Sequence, residues 1–289
     1  MAVILGLPKG SLQEATFKMM RKAGFVVQAG SRSYSPSVND PGLQCRLIRP
    51  QEISRYVELG LLDAGITGYD WIYENNSDVH EVSEMCYSKA TSQSVRWVLA
   101  VPNDSPIQSV KDLQGKRIAT EAVGLTRRYL AQHQVEAEVE FSWGATEVKA
   151  PELVDAIVEL TETGSSLRAN NLRIVDTILT STTRLIANHK AWKNPAKREK
   201  IEQLAVLLQG ALAAESRVLI KLNVPADRLD TVTELLPSLH APTVNRLNKR
   251  DWYAVESVVE EQVVRDIVPP LRNAGATGII ELPLNKVIF

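Results

Sequence analysis

The stretch Asp155-Ala156-Ile157-Val158-Glu159-Leu160-Thr161-Glu162-Thr163-Gly164-Ser165-Ser166-Leu167 joins an apolar run to a hydroxyl-rich turn. Six residues of mostly apolar character, closed by Thr, Gly and Ser, predict a strand over 155–160. A helix is expected to start at about Leu167, so the unit reads strand–loop–helix. The same grammar extends outward on both sides. Strands are expected over 2–5, 64–67, 97–101, 116–120, 137–141, 172–179 and 183–187. Between them lie helical patterns. One covers 11–23, with Leu12, Ala15, Met19 and Met20 on one face and Gly24 as its stop; another covers 53–61, where Ile53, Val57 and Leu61 recur every four residues. Helices are also expected over 125–133 and 197–215, the latter with Ile201, Leu204, Leu208 and Leu212 as its buried stripe. Such alternation argues for an α/β protein with largely parallel sheets.

After Glu215 the order changes. Strands over 218–222, 242–247, 252–259 and 278–282 alternate with helices over 227–236 and 262–274. That is β-α-β-β-α-β, the ferredoxin-like unit, complete in about seventy residues. A domain boundary is therefore expected near residue 213. Pro269-Pro270 should kink the last helix or start it afresh.

The 289 residues suit two domains, and 33 basic against 34 acidic side chains leave a net charge of −1. That balance offers neither nucleic acid nor a membrane surface a footprint, so no such partner is expected. Met1 to Lys9 reads as a first strand and not as a secretory signal, and no apolar run approaches the roughly 20 residues of a membrane helix. Cys45 and Cys86 are isolated, which points to neither a disulfide framework nor a zinc site. A cytoplasmic setting is expected.

The chemistry begins with the quoted loop. Amides at a helix start are unpaired and lie at its positive end, so a phosphate dianion fits there. Gly164 permits close approach, and Thr163, Ser165 and Ser166 add hydroxyl donors. The loop has no lysine, which excludes a Walker-type nucleotide loop. The plainer reading is a capped helix with Ser at its N-cap. Asp155 and Glu159, four residues apart on one strand face, suit sugar hydroxyls or a magnesium ion. Lys9 in Gly6-Leu7-Pro8-Lys9-Gly10-Ser11, Arg32, and Arg49 in Arg49-Pro50 are loop cations. Taken singly, each is an ordinary solvated charge.

Together these blocks carry a resemblance. Leu7-Pro8-Lys9-Gly10-Ser11-Leu12, Arg49-Pro50-Gln51-Glu52-Ile53 with Asp63-Ala64-Gly65-Ile66-Thr67-Gly68-Tyr69-Asp70, Gly115 to Glu121, Leu125 to Leu130, and Asp155 to Arg173 resemble the ordered motifs of the ATP phosphoribosyltransferase family. The tail, with Ala241-Pro242-Thr243-Val244, Trp252 and Gly275 to Ile280, is similar to the long form of that family. The sequence departs from the family pattern at Glu159, where aspartate is usual, at Gln93-Ser94-Val95, and between Glu147 and Asp155, one residue short.

The resemblance implies a periplasmic-binding-protein-like catalytic part and a C-terminal ACT-like domain over 213–289. One lobe would cover about 1–93 plus 180–212, and the other about 94–179. It implies transfer of phosphoribosyl from phosphoribosyl pyrophosphate to N1 of ATP, with Mg2+, in the first step of histidine biosynthesis. Lys9, Arg32 and Arg49 would face pyrophosphate. Asp155 and Glu159 would hold the ribose, and Thr161, Glu162, Thr163, Gly164, Ser165, Ser166 and Leu167 the 5′-phosphate. Glu147 would meet the adenine amino group, and Asp70 joins the substrate-side residues. Histidine is the expected inhibitor and a homo-oligomer, dimer or hexamer, the expected assembly. The competing class is a two-lobed small-molecule sensor without chemistry.

Overall fold

β1 (Val3–Pro8) is buried along nearly its whole length, as a strand covered on both faces must be. It belongs to a computed structural model that describes residues 2–30, 33–87, 94–248 and 251–289. α1 (Gln13–Ala23) follows, then a two-residue ladder of β2 (Val27–Gln28) with β3 (Ser37–Val38). β4 (Leu43–Ile48) leads into α2 (Pro50–Glu58), whose first position is proline, a residue that lacks the amide a helix start leaves unpaired. β5 (Ala64–Gly68), α3 (Tyr69–Asn75) and β6 (His80–Met85) complete this run. α2 lies close on the sheet because Gly65 has no side chain: a Cβ there would sit 2.4 Å from Ile53 Cγ2.

A second set follows: β7 (Val95–Pro102), β8 (Arg117–Thr120), α4 (Val123–Gln132), β9 (Glu138–Phe141), β10 (Ala156–Thr161), α5 (Ser165–Ala169) and β11 (Leu172–Ser181). The chain then returns to the first sheet as β12 (Thr183–Ala187). Two five-stranded sheets result, in the orders β4-β1-β5-β12-β6 and β11-β7-β10-β8-β9. Each forms the heart of a lobe, and β7 and β11, paired antiparallel, run side by side where the chain passes between them.

The sheets are mixed, not largely parallel. β1 pairs parallel with β4 and β5, and β8 with β9 and β10, but β7, β11 and β12 run antiparallel to their neighbours. The antiparallel members are the strands that enter or leave a lobe, so they need no crossover helix. β4, β6 and α3 carried no sequence expectation. α3 was hidden because the Gly68-Tyr69-Asp70 turn reads as punctuation, yet Gly68 is its N-cap.

The chain clusters into two compact units, 1–21 with 25–205 and 22–24 with 206–289. The division falls inside α7 (Pro195–Ala213), which follows α6 (His189–Lys193). The second unit holds β13 (Arg217–Pro225), α8 (Leu229–Leu235), β14 (Thr243–Arg246), β15 (Trp252–Glu260), α9 (Glu261–Asn273) and β16 (Thr277–Pro283). Its antiparallel sheet has the order β14-β15-β13-β16. In β13 every second residue is buried, and Val218, Ile220, Leu222 and Val224 meet Val232, Val264 and Leu271 from the helices. The βαββαβ order holds. Pro269 and Pro270, however, sit inside one helix and start no new one. The carbonyls they leave without partners belong to Arg265 and Asp266, both exposed to water.

Candidate active site

The loops that follow β1, β5, β8 and β10 open on one cleft between the two lobes, as expected at the carboxyl ends of strands in an open α/β sheet. The cleft encloses about 300 Å³; Ser11, Pro50 and Gln51 line one side, and Glu121, Thr161 and Glu162 the other.

On the second lobe the loop after β10 is built from its own hydroxyls. Thr161 is buried, and its Oγ1 accepts the Gly164 amide at 2.8 Å. That bond turns the chain back so that Gly164 adopts φ +73° and becomes the N-cap of α5. Only glycine visits this region without cost, which is why it stands here. Thr163 Oγ1 donates to Ser165 Oγ at 3.0 Å, and Arg168 Nη1 donates to the Thr163 carbonyl at 3.0 Å. The helix begins at Ser165, two residues earlier than expected, and glycine, not serine, caps it. Gly164 offers no side-chain cap, and the Ser165 amide donates to Thr163 Oγ1 at 3.4 Å. The Leu167 side chain is a core residue, packed with Val98, Ile157 and Leu172, so it anchors the loop and offers a ligand only its amide.

Glu147 and Glu159 flank this loop. Ser166 Oγ donates to Glu147 at 2.9 Å, which binds that carboxylate into the loop's own structure. The Leu160 amide donates to Glu159 Oε1 at 3.0 Å. Burial above all, with the Glu147 and Glu121 charges, raises the Glu159 carboxyl above the usual range, against the opposing bonds from Thr146 and Leu160. Asp155 is a correction. It precedes β10 at the end away from the loop, roughly 13 Å along the strand from Glu159. There it accepts the Arg117 amide at 2.9 Å and lies 3.5 Å from Lys116 Nζ. The four-residue spacing sets a shared face correctly but puts the two carboxylates at opposite ends.

On the first lobe Lys9 follows β1; its amide donates to the Ile48 carbonyl and its Nζ lies 3.6 Å from the centre of the Tyr34 ring. Arg49 precedes α2 and is exposed, and its Nη1 is 3.5 Å from where a Cβ on Gly10 would stand. Lys9 and Arg49 therefore share one rim. Arg32 lies outside the described residues.

Asp70 lines the cleft and is buried. Its carboxylate accepts Trp97 Nε1 and Ser181 Oγ, both at 2.8 Å. Burial raises its pKa, and those two bonds partly offset the rise. Glu74 makes a second bond across the lobes, accepting the Gly124 and Leu125 amides at 2.8 and 2.6 Å. Arg128 adds a bond to the Tyr73 carbonyl. Two cleft residues carried no expectation of a role: Gln51 donates from Nε2 to Glu121 at 3.0 Å, while its buried Oε1 has no partner among the described residues. Gln51 directly follows the quoted Arg49-Pro50 pair, which was the available signal.

Known proteins supply the rest. Residues 49–210 match the family "HisG: ATP phosphoribosyltransferase", and 214–286 match "HisG, C-terminal domain". ATP phosphoribosyltransferase of Desulforudis audaxviator is 61% identical over 288 residues, and that of Pelotomaculum thermopropionicum 59%; each match covers 100% of both chains. A solved structure titled "ATP phosphoribosyl transferase (HisG:HisZ) complex from Thermotoga maritima" aligns with a TM-score of 0.61 and 28% identity, covering 72% of this chain and 98% of that one. A two-lobed α/β fold, family matches over 49–210 and 214–286, and full-length relatives at 61% and 59% identity make this protein a member of the ATP phosphoribosyltransferase family, in its long form.

Proposed function

We propose that the two sides of the cleft divide the labour of the family's reaction, with the second lobe gripping the phosphoribosyl group and the first drawing off pyrophosphate. The reaction joins N1 of the ATP adenine to C1 of the ribose of phosphoribosyl pyrophosphate as the bond from C1 to pyrophosphate breaks; it opens histidine biosynthesis. Adenine N1 already carries a free lone pair, so no side chain has to activate it. The barrier lies in the departing charge and the oxocarbenium-like sugar, where positioning and electrostatics dominate.

The observation that supports this division is the placement of opposite chemistries on the two lobes. Lys9 and Arg49 share a rim of the first lobe, Arg49 lining the groove that adjoins the cleft at Gln51, and Thr161 and Glu162 bring the start of the hydroxyl-rich turn to the cleft from the second. In the proposal, the turn's amides and hydroxyls hold the 5′-phosphate. Glu159 accepts from ribose hydroxyls, and Lys9 and Arg49 stabilise the charge that builds on pyrophosphate. Arg32 is proposed for the same role from sequence alone. Magnesium bound with few protein ligands suits this donor set: among the described residues no three carboxylates, histidines or cysteines gather into a cage, while Glu159 stands beside the loop. The ion, when bound, would neutralise part of the pyrophosphate charge.

Glu159 gives a pH test. Its carboxyl holds its proton to higher pH than an ordinary glutamate, and the carboxylate is the stronger acceptor of ribose hydroxyls. Affinity for phosphoribosyl pyrophosphate is therefore expected to fall as pH drops through that raised value, and Glu159→Gln to flatten the profile. A Glu159→Gln profile identical to that of the unaltered protein would remove Glu159 from the sugar site.

The second unit has its own core and none of the cleft groups, which supports a regulatory part that senses histidine, in a homo-oligomer of two or six chains. Among the described residues no helix is long and apolar enough to cross a membrane. An enzyme that consumes ATP works where ATP is made, so we place it in the cytoplasm. A chain truncated after Glu215 is expected to keep transfer activity and lose histidine inhibition. Inhibition curves that coincide for full-length and truncated chains would move the effector site to the lobes.

A further inference from the structure

α3 belongs by sequence to the first lobe but stands in both cores. Ile72 packs with Ile53, Val57 and Ile186 of the first lobe. Trp71 meets Trp97 of the second edge to face, ring centres 5.8 Å apart, in a core that includes Leu99 and Leu125. The end of the same helix reaches α4. There the Glu74 carboxylate accepts the Gly124 amide on one oxygen and the Leu125 amide on the other, at 2.8 and 2.6 Å. α4 has no cap of its own: its N-cap is Ala122, which has no side chain to accept an amide, and its first turn holds no acidic residue. The cap a helix usually draws from its own sequence is supplied here by the opposite lobe. Gly124 fits this arrangement. Its backbone is ordinary helix, so its conformation does not call for glycine, yet a Cβ would stand 3.0 Å from the Glu74 carbonyl oxygen and 3.1 Å from its carboxylate. The next residue, Asn75, donates from Nδ2 to the Gln51 carbonyl at 2.8 Å and to Ser54 Oγ at 2.9 Å. Gln51 in turn bonds Glu121 across the cleft, three residues before Gly124. The path from Gln51 through Asn75, Glu74, Gly124 and Glu121 back to Gln51 is a closed ring, its hydrogen bonds joined by short lengths of chain.

We propose that Glu74 is a positioning residue for the transfer: acting through α4 and Asn75, it holds Gln51 and Glu121, and with them the two walls of the cleft, at the angle the reaction needs. The inference rests on the transferase reading and gives Glu74 no contact with either substrate. Four residues earlier on α3, Asp70 is tied to β7 and β11. Rotation about that point leaves its bonds whole but draws Glu74 away from the α4 amides. One anchor lets two lobes turn; a second, a helical turn away, fixes the angle. A carboxylate suits the task because it accepts both amides at once. A neutral amide side chain offers one acceptor and sets an NH2 group against the second N–H. Groups on opposite walls lose rate steeply when misplaced by about an ångström, while each wall still binds its own part of the substrates.

The test compares full-length Glu74→Gln, Asn75→Ala and the double variant by steady-state kinetics and by calorimetric titration with ATP and with phosphoribosyl pyrophosphate. Each single change is expected to lower kcat roughly 10- to 100-fold, with both affinities within about threefold of the unaltered protein. A ring cut twice is no looser than a ring cut once, so kcat of the double variant should lie within about twofold of the more impaired single; two independent local weakenings would multiply instead. Gly124→Ala attacks the same link from the second lobe and should lower kcat in step, so the prediction stands open to test even if Glu74→Gln does not fold. A folded Glu74→Gln variant with kcat within about twofold of the unaltered protein would overturn the proposal, as would losses that multiply in the double variant. So would a drop confined to ATP affinity, since Glu74 would then be a substrate contact and not a positioning residue. Failure of the unaltered protein to form the N1-ribosylated adduct would instead strike the transferase reading, so the two failures are distinguishable.

Discussion

Alanine at Arg49 is expected to lower kcat roughly 10²–10³-fold, with affinity for ATP changed only a few-fold. The guanidinium stands on the rim next to the Gly10 loop, exposed and ready to meet an anion that gains charge during the reaction. A group that acts mainly on a developing charge is missed most in the transition state, so turnover falls further than ground-state binding. Lys9→Ala should move in the same direction, but less, because a lysine offers a point charge where arginine offers a planar fork. Steady-state kinetics on the absorbance of the N1-ribosylated product would measure both. A raised constant for ATP with turnover untouched would take Arg49 out of the leaving-group role.

The phosphate loop should give the second large effect. Gly164→Ala places a side chain at φ +73°, where an L-residue costs roughly 1–2 kcal/mol, and sets its Cβ 3.0 Å from Arg168 Nη1. Ser165→Ala removes a hydroxyl that bonds Thr163 now and would meet a dianion in the complex, where a charged hydrogen bond contributes about 1.5–3 kcal/mol. Together they should weaken phosphoribosyl pyrophosphate about a hundredfold or more. The fold should survive, because Leu167 still fills its core site among Val98, Ile157 and Leu172. Titration of the folded double variant decides the matter: an unchanged affinity would put the 5′-phosphate elsewhere.

How far the sequence alone could be read depended on what each signal measures. Periodicity reports burial, so the stripe Ile201, Leu204, Leu208 and Leu212 was legible: the first three are buried and Leu212 is half-buried. Turn chemistry was legible at Gly164 because glycine adopts its positive φ without the steric cost a side chain carries. Periodicity does not report which end of a strand faces a ligand, and that is where Asp155 was misplaced. Nor does it reveal that Asp70, expected on the substrate side, also ties the lobes together through Trp97 and Ser181. Strand direction was also out of reach: β7 and β12 look like parallel core strands in composition, yet each pairs antiparallel with its neighbours. Phe141 read as the end of a strand and Trp143 carried no expectation, since exposure of an aromatic ring leaves no mark in the letters.

The Asp70 carboxylate touches both strands that carry the chain across the molecule, β7 through Trp97 and β11 through Ser181. It acts as a pin through a two-leaf hinge. Pulling it out would strand a buried carboxyl and a buried indole N–H, a loss of several kcal/mol, whereas turning about it breaks neither bond. Swinging is thus the cheap motion for the lobes and sliding the dear one. Each point in the cleft travels in proportion to its distance from the pin, so Lys9 and Arg49 on one leaf and the Gly164 turn on the other approach along an arc. Their meeting geometry is set by this buried side chain, which lines the cleft, together with the Glu74 and Arg128 bonds that also cross between the lobes.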